Sequence, residues 1–461
     1  MLTHLKLDNF KIWRSTGAMR LAPITLLLGT NSSGKSSLIQ SLLLIRQTVK
    51  GDDPNMDLNL GNPDEGDTVT LGQYKDLLCR HGGESEAIKA NRVGVEFKWS
   101  ESGQPEEATI FSARYRQGPG GSAELDYLRL GKDGQGFFVE RRRPGIYRLQ
   151  LGVERRPVGQ SPDFRPQRSF AFAPAAIASL GARGELIKDI GPALLDELSK
   201  IIYLGPVRRL AQRDYIWAGR MPASIGDDGA KAVDALIASG VALQAARRRK
   251  KRNVPAPPET QPVKQAGHEE DLPAEAQLFL QTIYWLKKMG MADGLSVRAL
   301  GGSARYELLV ENQGSMSNLK DVGVGVSQVL PVIVSALFAE PGHIVIIEEP
   351  ESHLHPLAQS LLAELFAQIS RERKVQFISE THSEHLFRRM QTLMARGDFV
   401  SSDCAMYFVE REGIKANLIQ LEANSYGLVD KWPNNFFGDA LGEASEQARL
   451  MFERQRKERS R

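Results

Sequence analysis

One octapeptide limits what this chain can fold into. Gly29-Thr30-Asn31-Ser32-Ser33-Gly34-Lys35-Ser36 fits the pattern GxxxxGKS, follows the apolar run 24–28, and leads into Ser37-Leu38-Ile39-Gln40-Ser41-Leu42-Leu43-Leu44-Ile45. Strand, glycine-rich loop and helix in that order are the context a phosphate-binding loop needs. Gly29 and Gly34 let the backbone wrap closely around an anion. The N–H groups from Asn31 and Ser32 through Gly34 to Ser37 then point inward, at the start of a helix expected to run to about Lys50. Lys35 is expected to reach the β- and γ-phosphates, and the Ser36 hydroxyl to hold Mg²⁺. The loop implies a nucleoside triphosphate but leaves ATP and GTP both open.

A second stretch supplies the chemistry the loop lacks. Gly342-His343-Ile344-Val345-Ile346-Ile347-Glu348-Glu349-Pro350 reads as a buried strand ending in two carboxylates. In parallel α/β sheets, ligand sites lie at the carboxyl ends of strands, which brings both acids toward the phosphate loop. Successive strand side chains diverge, so the two acids need different tasks. Glu348 is expected in the Mg²⁺ shell, and Glu349 as the base that polarises or orients the attacking water. A second buried strand, 375–380, ends at Thr381-His382-Ser383, which puts His382 at the same edge and within reach of a γ-phosphate. The helical pattern of 357–369 joins the two strands as a parallel crossover.

Two weaker signals accompany these. Val322-Gly323-Val324-Gly325-Val326-Ser327-Gln328 is a Gly-x-Gly turn opening a helix. Since one copy already has its own phosphate loop, Gly323, Gly325 and Ser327 are expected at a second copy's nucleotide, with two subunits head to tail around two nucleotides. Gln73 stands either as a Mg²⁺ or γ-phosphate contact or as an ordinary surface residue. His353, His355, His382 and His385 among Glu348, Glu349, Glu351, Glu380 and Glu384 keep a metal-dependent hydrolase open as a competing reading. No HExxH pattern or cysteine partner supports it.

The chain has 461 residues, 41% of them hydrophobic, enough for sizeable cores. Its net charge of +3 is too small to imply nucleic acid by itself. Two cysteines build no disulfide framework, the first residues show no signal-peptide core, and no apolar run is long enough for a membrane span, so a cytoplasmic protein without membrane contact is expected. Between 91 and 152, repeated strand signals separated by Gly, Pro and Asp predict antiparallel sheet. Arg141-Arg142-Arg143 reads as a solvated turn or a DNA contact. Arg208, Arg209 and Arg213 serve nucleotide, nucleic acid or solvent. Arg247-Arg248-Arg249-Lys250-Lys251-Arg252 opens a basic, proline-rich surface excursion, 247–271, with DNA as one reading. The charged tail 443–461 reads as a solvated helix or as a DNA or effector contact.

Together the motifs resemble the ABC-type ATPases of the SMC/RecF/OLD group, in particular the compact AAA15/AAA21-like prokaryotic ATPases. Gly29 to Ser36 is similar to their Walker A motif and residues 344–349 to Walker B, with Glu348 where Asp is commoner and Glu349 at the catalytic glutamate position. Residues 351–356 resemble the D-loop, His382 the switch histidine, 322–328 the signature segment, and Gln73, loosely, the Q-loop. In the signature, Gly323-Val324-Gly325 replaces the commoner Ser-x-Gly. The resemblance implies ATP and Mg²⁺ as cofactors. It also implies an α/β ABC-type P-loop ATPase head with a mixed, largely parallel core sheet, an antiparallel β lobe and a helical insertion. The expected division is 1–85 and 315–410 as the two ATPase halves, 86–170 as the lobe, 171–314 as a helical variable insertion and 411–461 as a small C-terminal region. No Toprim-like acidic pattern follows His382, and no heptad run supplies a coiled-coil arm. The resemblance therefore implies an ATPase switch in prokaryotic anti-phage defence. It would pair as a homodimer through composite ATP sites, with further assembly open, and control a separately encoded effector, a nuclease. The alternative is a RecF-like DNA-binding ATPase of repair.

Overall fold

The computed structural model describes residues 1–79, 91–101, 107–132, 136–152, 156–253, 273–413, 415–429 and 451. The aromatic-rich stretch 432–437, most of the excursion 247–271 and the tail 443–461 except Met451 lie outside the described residues.

The fold is α/β, built on a six-stranded mixed sheet. Its order is Ile201–Leu204, Ile344–Glu348, Gln376–Glu380, Ile24–Gly29, Cys404–Glu412, Lys415–Gln420. The first five strands are mutually parallel, and the last returns antiparallel as a hairpin. The Ile344–Glu348 strand is an unbroken apolar run because both faces of this sheet are covered. Ile344 and Ile346 face one hydrophobic core; Val345 and Ile347 face the other.

The first core joins the central sheet to a nine-stranded antiparallel sheet, and the helix Lys35–Lys50 lies between them through Leu38, Ile39, Leu42 and Ile45. The alternating pattern of residues such as 93, 95, 97 and 99 produces this: each buried side chain of the strand Arg92–Trp99 points inward and each intervening one outward. The opposite core packs the helices Ala232–Asn253, Ala274–Lys288, Val324–Phe338, Pro356–Arg373 and Glu384–Arg396 on the other face. A third sheet of four short strands, built around Gly294–Ala299 and Arg305–Asn312, flanks these helices.

Three elements fall outside the expected division. The chain's first strand, Leu2–Phe10, pairs with Arg92–Trp99 and so belongs to the antiparallel sheet rather than to a separate N-terminal half. The stretch 171–314 is not only helical: its strand Ile201–Leu204 forms an edge of the central sheet. Lys415–Gln420 extends that sheet past residue 410. In the first two cases long-range pairing decides the position, and local pattern does not encode it; the third is a hairpin on the neighbouring strand Cys404–Glu412. Among the described residues, no helix is long and apolar enough to cross a membrane.

The helix-covered core can be tested at one contact. Phe366 and Phe377 are fully buried and stack with ring centroids 4.7 Å apart. Phe377→Ala should destabilise the fold by about 3–5 kcal/mol in urea unfolding, whereas Val207→Ser, on an exposed residue, should change it by less than about 0.5 kcal/mol.

Candidate nucleotide-binding site

The site is built where three neighbouring parallel strands end together. Glu348 is level with Glu380, and Glu380 is level with Leu27, two residues before the loop begins. Strand register alone therefore sets the two carboxylates beside the glycine-rich loop.

The loop needs its glycines. Gly29 has φ 142° and Gly34 φ 113°, values that L-residues avoid. A Cβ on Gly29 would meet the Val409 carbonyl oxygen at 2.3 Å, and one on Gly34 would meet Ile12 Cγ2 at 2.6 Å. The buried Trp13 ring donates from Nε1 to the Gly34 carbonyl at 3.1 Å, which anchors the loop to the antiparallel sheet. Asn31 and Ser32 are exposed at the tip; Ser36 and Ser37 are half-buried in the first turn of the helix.

Lys35 is almost fully buried. Its ammonium donates to the carbonyls of Gly29 at 3.0 Å and Thr30 at 2.8 Å, and lies 3.6 Å from Glu380 Oε1. Burial pushes its pKa down, while Glu380, Glu349 and Glu351 act in the opposite direction. The surrounding acids are pushed up. Burial, with Glu380 next, raises Glu348 to about 7 even though the Tyr203 hydroxyl donates to its Oε1 at 2.8 Å. Burial also raises Glu380, against the Lys35 ammonium and the Ser36 hydroxyl beside it. Glu351 is raised by burial, and its Oε1 accepts the His382 backbone N–H at 2.5 Å.

Glu349 sits just past its strand with φ 47°, a left-handed conformation that costs a non-glycine residue stability. Its neighbours hold it there. Its N–H donates to the Glu380 carbonyl at 2.8 Å, and Ser352 Oγ donates to its Oε2 at 3.0 Å. From beneath, Arg208 donates to the carbonyls of Glu348 at 3.0 Å, Glu349 at 2.7 Å and Gln328 at 3.4 Å. His382 is half-buried; burial and then Lys35 lower its pKa, while Glu349 and the Gly29 backbone act against them.

The other expected residues lie elsewhere. Gly323 is the N-cap of the helix Val324–Phe338, which has no side-chain cap. Gly325 abuts the His353 carbonyl, and Ser327 Oγ donates to the Val324 carbonyl at 2.9 Å. This turn packs on the segment that follows Glu349, not on its own chain's loop. Gln73 is exposed; it caps a short turn through its N–H to Asp76 at 3.0 Å and rests against Gly121, and none of its described hydrogen bonds reaches the phosphate loop. Arg141 and Arg142 are paired with Glu124 and Glu140. Among the described residues, no group of three or more His, Cys, Asp and Glu side chains is placed to hold a metal ion by itself.

Of the residues that support this site, Tyr203 was given no role by the sequence; Arg208 stood open between nucleotide, nucleic acid and solvent, and Glu380 was one acid of the histidine-rich cluster. Glu380 had a readable signal, because it ends a buried strand as Glu348 does. Tyr203 had none, and Arg208 only its place in a basic turn.

Residues 271–387 match the model of the AAA_15 family, described as an AAA ATPase domain. That stretch spans the Gly323 turn, Glu348, Glu349 and His382; the phosphate loop lies outside it and stands on its own pattern and geometry. This match to an AAA ATPase domain makes the chain an ATP-binding, ATP-hydrolysing enzyme. Residues 400–447 match a family described as a protein of unknown function, DUF3696. No curated protein matches the chain. Similar solved structures include an SMC head bound to the C-winged helix domain of ScpA (12% identity, 91% of this chain and 97% of that one, TM-score 0.45). The SMC head domain from Thermotoga maritima is also similar (12%, 92% and 99%, 0.40). So is an Smc head domain with an extended coiled coil, bound to the C-terminal domain of ScpA, derived from Pyrococcus furiosus (13%, 91% and 96%, 0.43).

The raised Glu348 carboxyl has a measurable consequence. Its folded pKa of about 7 exceeds its ordinary 4.5, so the folded state holds the proton more tightly, and this contribution to stability is lost as pH rises through 7. Glu348→Gln should remove that loss. The stability of the nucleotide-free variant relative to wild type should rise by about 1–3 kcal/mol between about pH 5 and about pH 8, read by denaturant titration.

Proposed function

We propose that this ATPase is a regulated switch in which Mg²⁺-ATP joins two copies of the chain and thereby controls a separately encoded effector. The observation that carries the reading is the buried Lys35 ammonium beside Glu380, with Glu348 level with Glu380 in the next strand and Glu349 just beyond it.

The donors present fit Mg²⁺. The Ser36 hydroxyl and the Glu348 carboxylate are hard oxygen ligands, and this ion takes one or two protein oxygens together with phosphate and water. When bound, it supplies Lewis-acid stabilisation of charge on the phosphates. The loop amides from Asn31 to Ser37, with Gly29 and Gly34 giving the close approach, hold the β- and γ-phosphates, and Lys35 turns from the loop carbonyls to them. Glu349 accepts a proton from a water molecule as its oxygen attacks the γ-phosphorus. The bond to the β–γ bridging oxygen breaks, and ADP and phosphate form. His382, kept neutral by burial, donates a hydrogen bond to the γ-phosphate. Tyr203 orients Glu348, and Arg208 fixes the backbone that carries Glu349.

Pairing is supported by the uncapped start of the helix Val324–Phe338, where Val324 is 49% exposed. Free N–H groups at such a terminus receive an anion; Gly323 and Gly325 would present theirs to the nucleotide of a second copy, and Ser327 would contribute its hydroxyl once released from the Val324 carbonyl. Gln73 enters only as a residue that could approach on closure. The effector, a nuclease, and a role in anti-phage defence rest on the family resemblance. A second reading, direct DNA contact as in RecF-like repair ATPases, is favoured by one feature. The helix Ala232–Asn253 carries Arg247, Arg248 and Arg249 exposed at its end.

Lys35→Ala should abolish ATP turnover. Glu349→Gln should bind ATP, hydrolyse it about 10²–10⁴-fold more slowly, and accumulate as an ATP-dependent dimer by light scattering; rapid hydrolysis in that variant would refute the role of Glu349. For the DNA reading, replacing Arg247, Arg248 and Arg249 by Ala should weaken duplex binding and lower its salt slope by about 3. An unchanged slope would remove that helix from any DNA interface.

A further inference from the structure

Glu380 is not one of the acids that a hydrolytic site of this kind requires, yet it occupies the centre of this one. It ends its strand level with Glu348. It is 5% exposed, its Oε1 lies 3.6 Å from the Lys35 ammonium, and its Oε2 is buried with no hydrogen-bond partner. The Ser36 hydroxyl stands beside it, and Glu349 lies near enough to add to its charge burden. One carboxylate thus faces both the ammonium meant for phosphate and the hydroxyl meant for the cation. Lys35 meanwhile is folded back on the loop's own carbonyls at Gly29 and Thr30.

We propose that Glu380 makes nucleotide binding at this loop conditional on a divalent cation. The inference rests on the Mg²⁺-ATP reading given above. Without the cation, a triphosphate entering the loop must take Lys35 from Glu380 and then lie against a buried anion. In a site of low dielectric, that repulsion is poorly screened. A divalent cation held between Ser36 and the phosphates places positive charge beside Glu380 and leaves Lys35 free for phosphate. Oε2, buried without a hydrogen-bond partner, would be available to such a cation or to a water bound to it. Glu380 is therefore a positioning residue: it sets the coupling between cation and nucleotide, and this coupling is equal in both directions.

The test is equilibrium binding of ATP and ADP by calorimetry, with EDTA and with excess MgCl₂, on wild type, Glu380→Gln and Glu380→Asp. Glu384→Gln, on the next helix, serves as a charge control. In wild type, Mg²⁺ should tighten ATP binding strongly. Glu380→Gln should tighten cation-free ATP binding by about tenfold and shrink the Mg²⁺-induced gain by the same factor, while Glu384→Gln changes neither. Glu380→Asp, whose shorter arm draws the charge away from Lys35, should move in the same direction by a smaller factor and carries the test if Glu380→Gln does not fold. A Mg²⁺-induced gain identical in wild type and both variants would overturn the proposal. Absence of nucleotide binding by wild type under both conditions would instead overturn the Mg²⁺-ATP reading on which it stands.

Discussion

The register between the strands Ile344–Glu348, Gln376–Glu380 and Ile24–Gly29 governs the rest of the site. Because Glu348, Glu380 and Leu27 are level, carboxylates and phosphate loop arrive at one edge without any long side chain having to reach. A slip of one residue in either pairing would turn Glu348 or Glu380 to the opposite face. The apolar demand on both faces prevents that slip. Ile344 and Ile346 fit one core and Val345 and Ile347 the other, so the packing that stabilises the sheet is also what aligns the chemistry.

That alignment carries local costs, and the supporting residues are placed to meet them. Glu349 is held at positive φ, and Lys35, Glu348, Glu351 and Glu380 are all removed from water. Burial opposes the charge on each of them. Tyr203, Ser352, Arg208 and the His382 N–H answer with hydrogen bonds to these acids or to the backbone that bears them. Arg208 is itself strained in this sense, since burial lowers its pKa to about 10. A buried guanidinium used on three backbone carbonyls ties the Val324–Phe338 helix, through Gln328, to the two catalytic-edge acids.

The parts of this arrangement that were legible in the sequence are those encoded locally. The glycine-rich loop, the two strands that end in acids, the crossover helix between them and the alternating strands of 91–152 all declare themselves by period or motif. Residues brought in by pairing did not. The strand Ile201–Leu204 is four residues long and sits in a region of helical pattern, so its place at the sheet edge, and with it Tyr203 and Arg208, depends on a partner more than 100 residues away. Glu380 was visible as one acid among several near histidines. What distinguished it was register with Glu348 and proximity to Lys35, and neither is a property of its own neighbourhood. Gln73 shows the reverse: a suggestive residue type after the first helix, which the fold uses to cap a turn on the antiparallel lobe.

Taken by itself, the protein's own charge cluster is out of electrostatic balance. Burial pushes Glu348, Glu351 and Glu380 toward their neutral forms and Lys35 toward the free amine. A stability-only design would replace such a cluster with apolar side chains. Keeping it makes sense when the missing charges come with the ligand: phosphates restore an anionic partner for Lys35, and a cation restores one for the carboxylates. On the proposed reading, binding of nucleotide and cation would relieve the strain that folding imposed. Arg208, bonded to the carbonyls of Glu348, Glu349 and Gln328, joins the ends of the central strands to the helix Val324–Phe338, so any such relief would be felt there first.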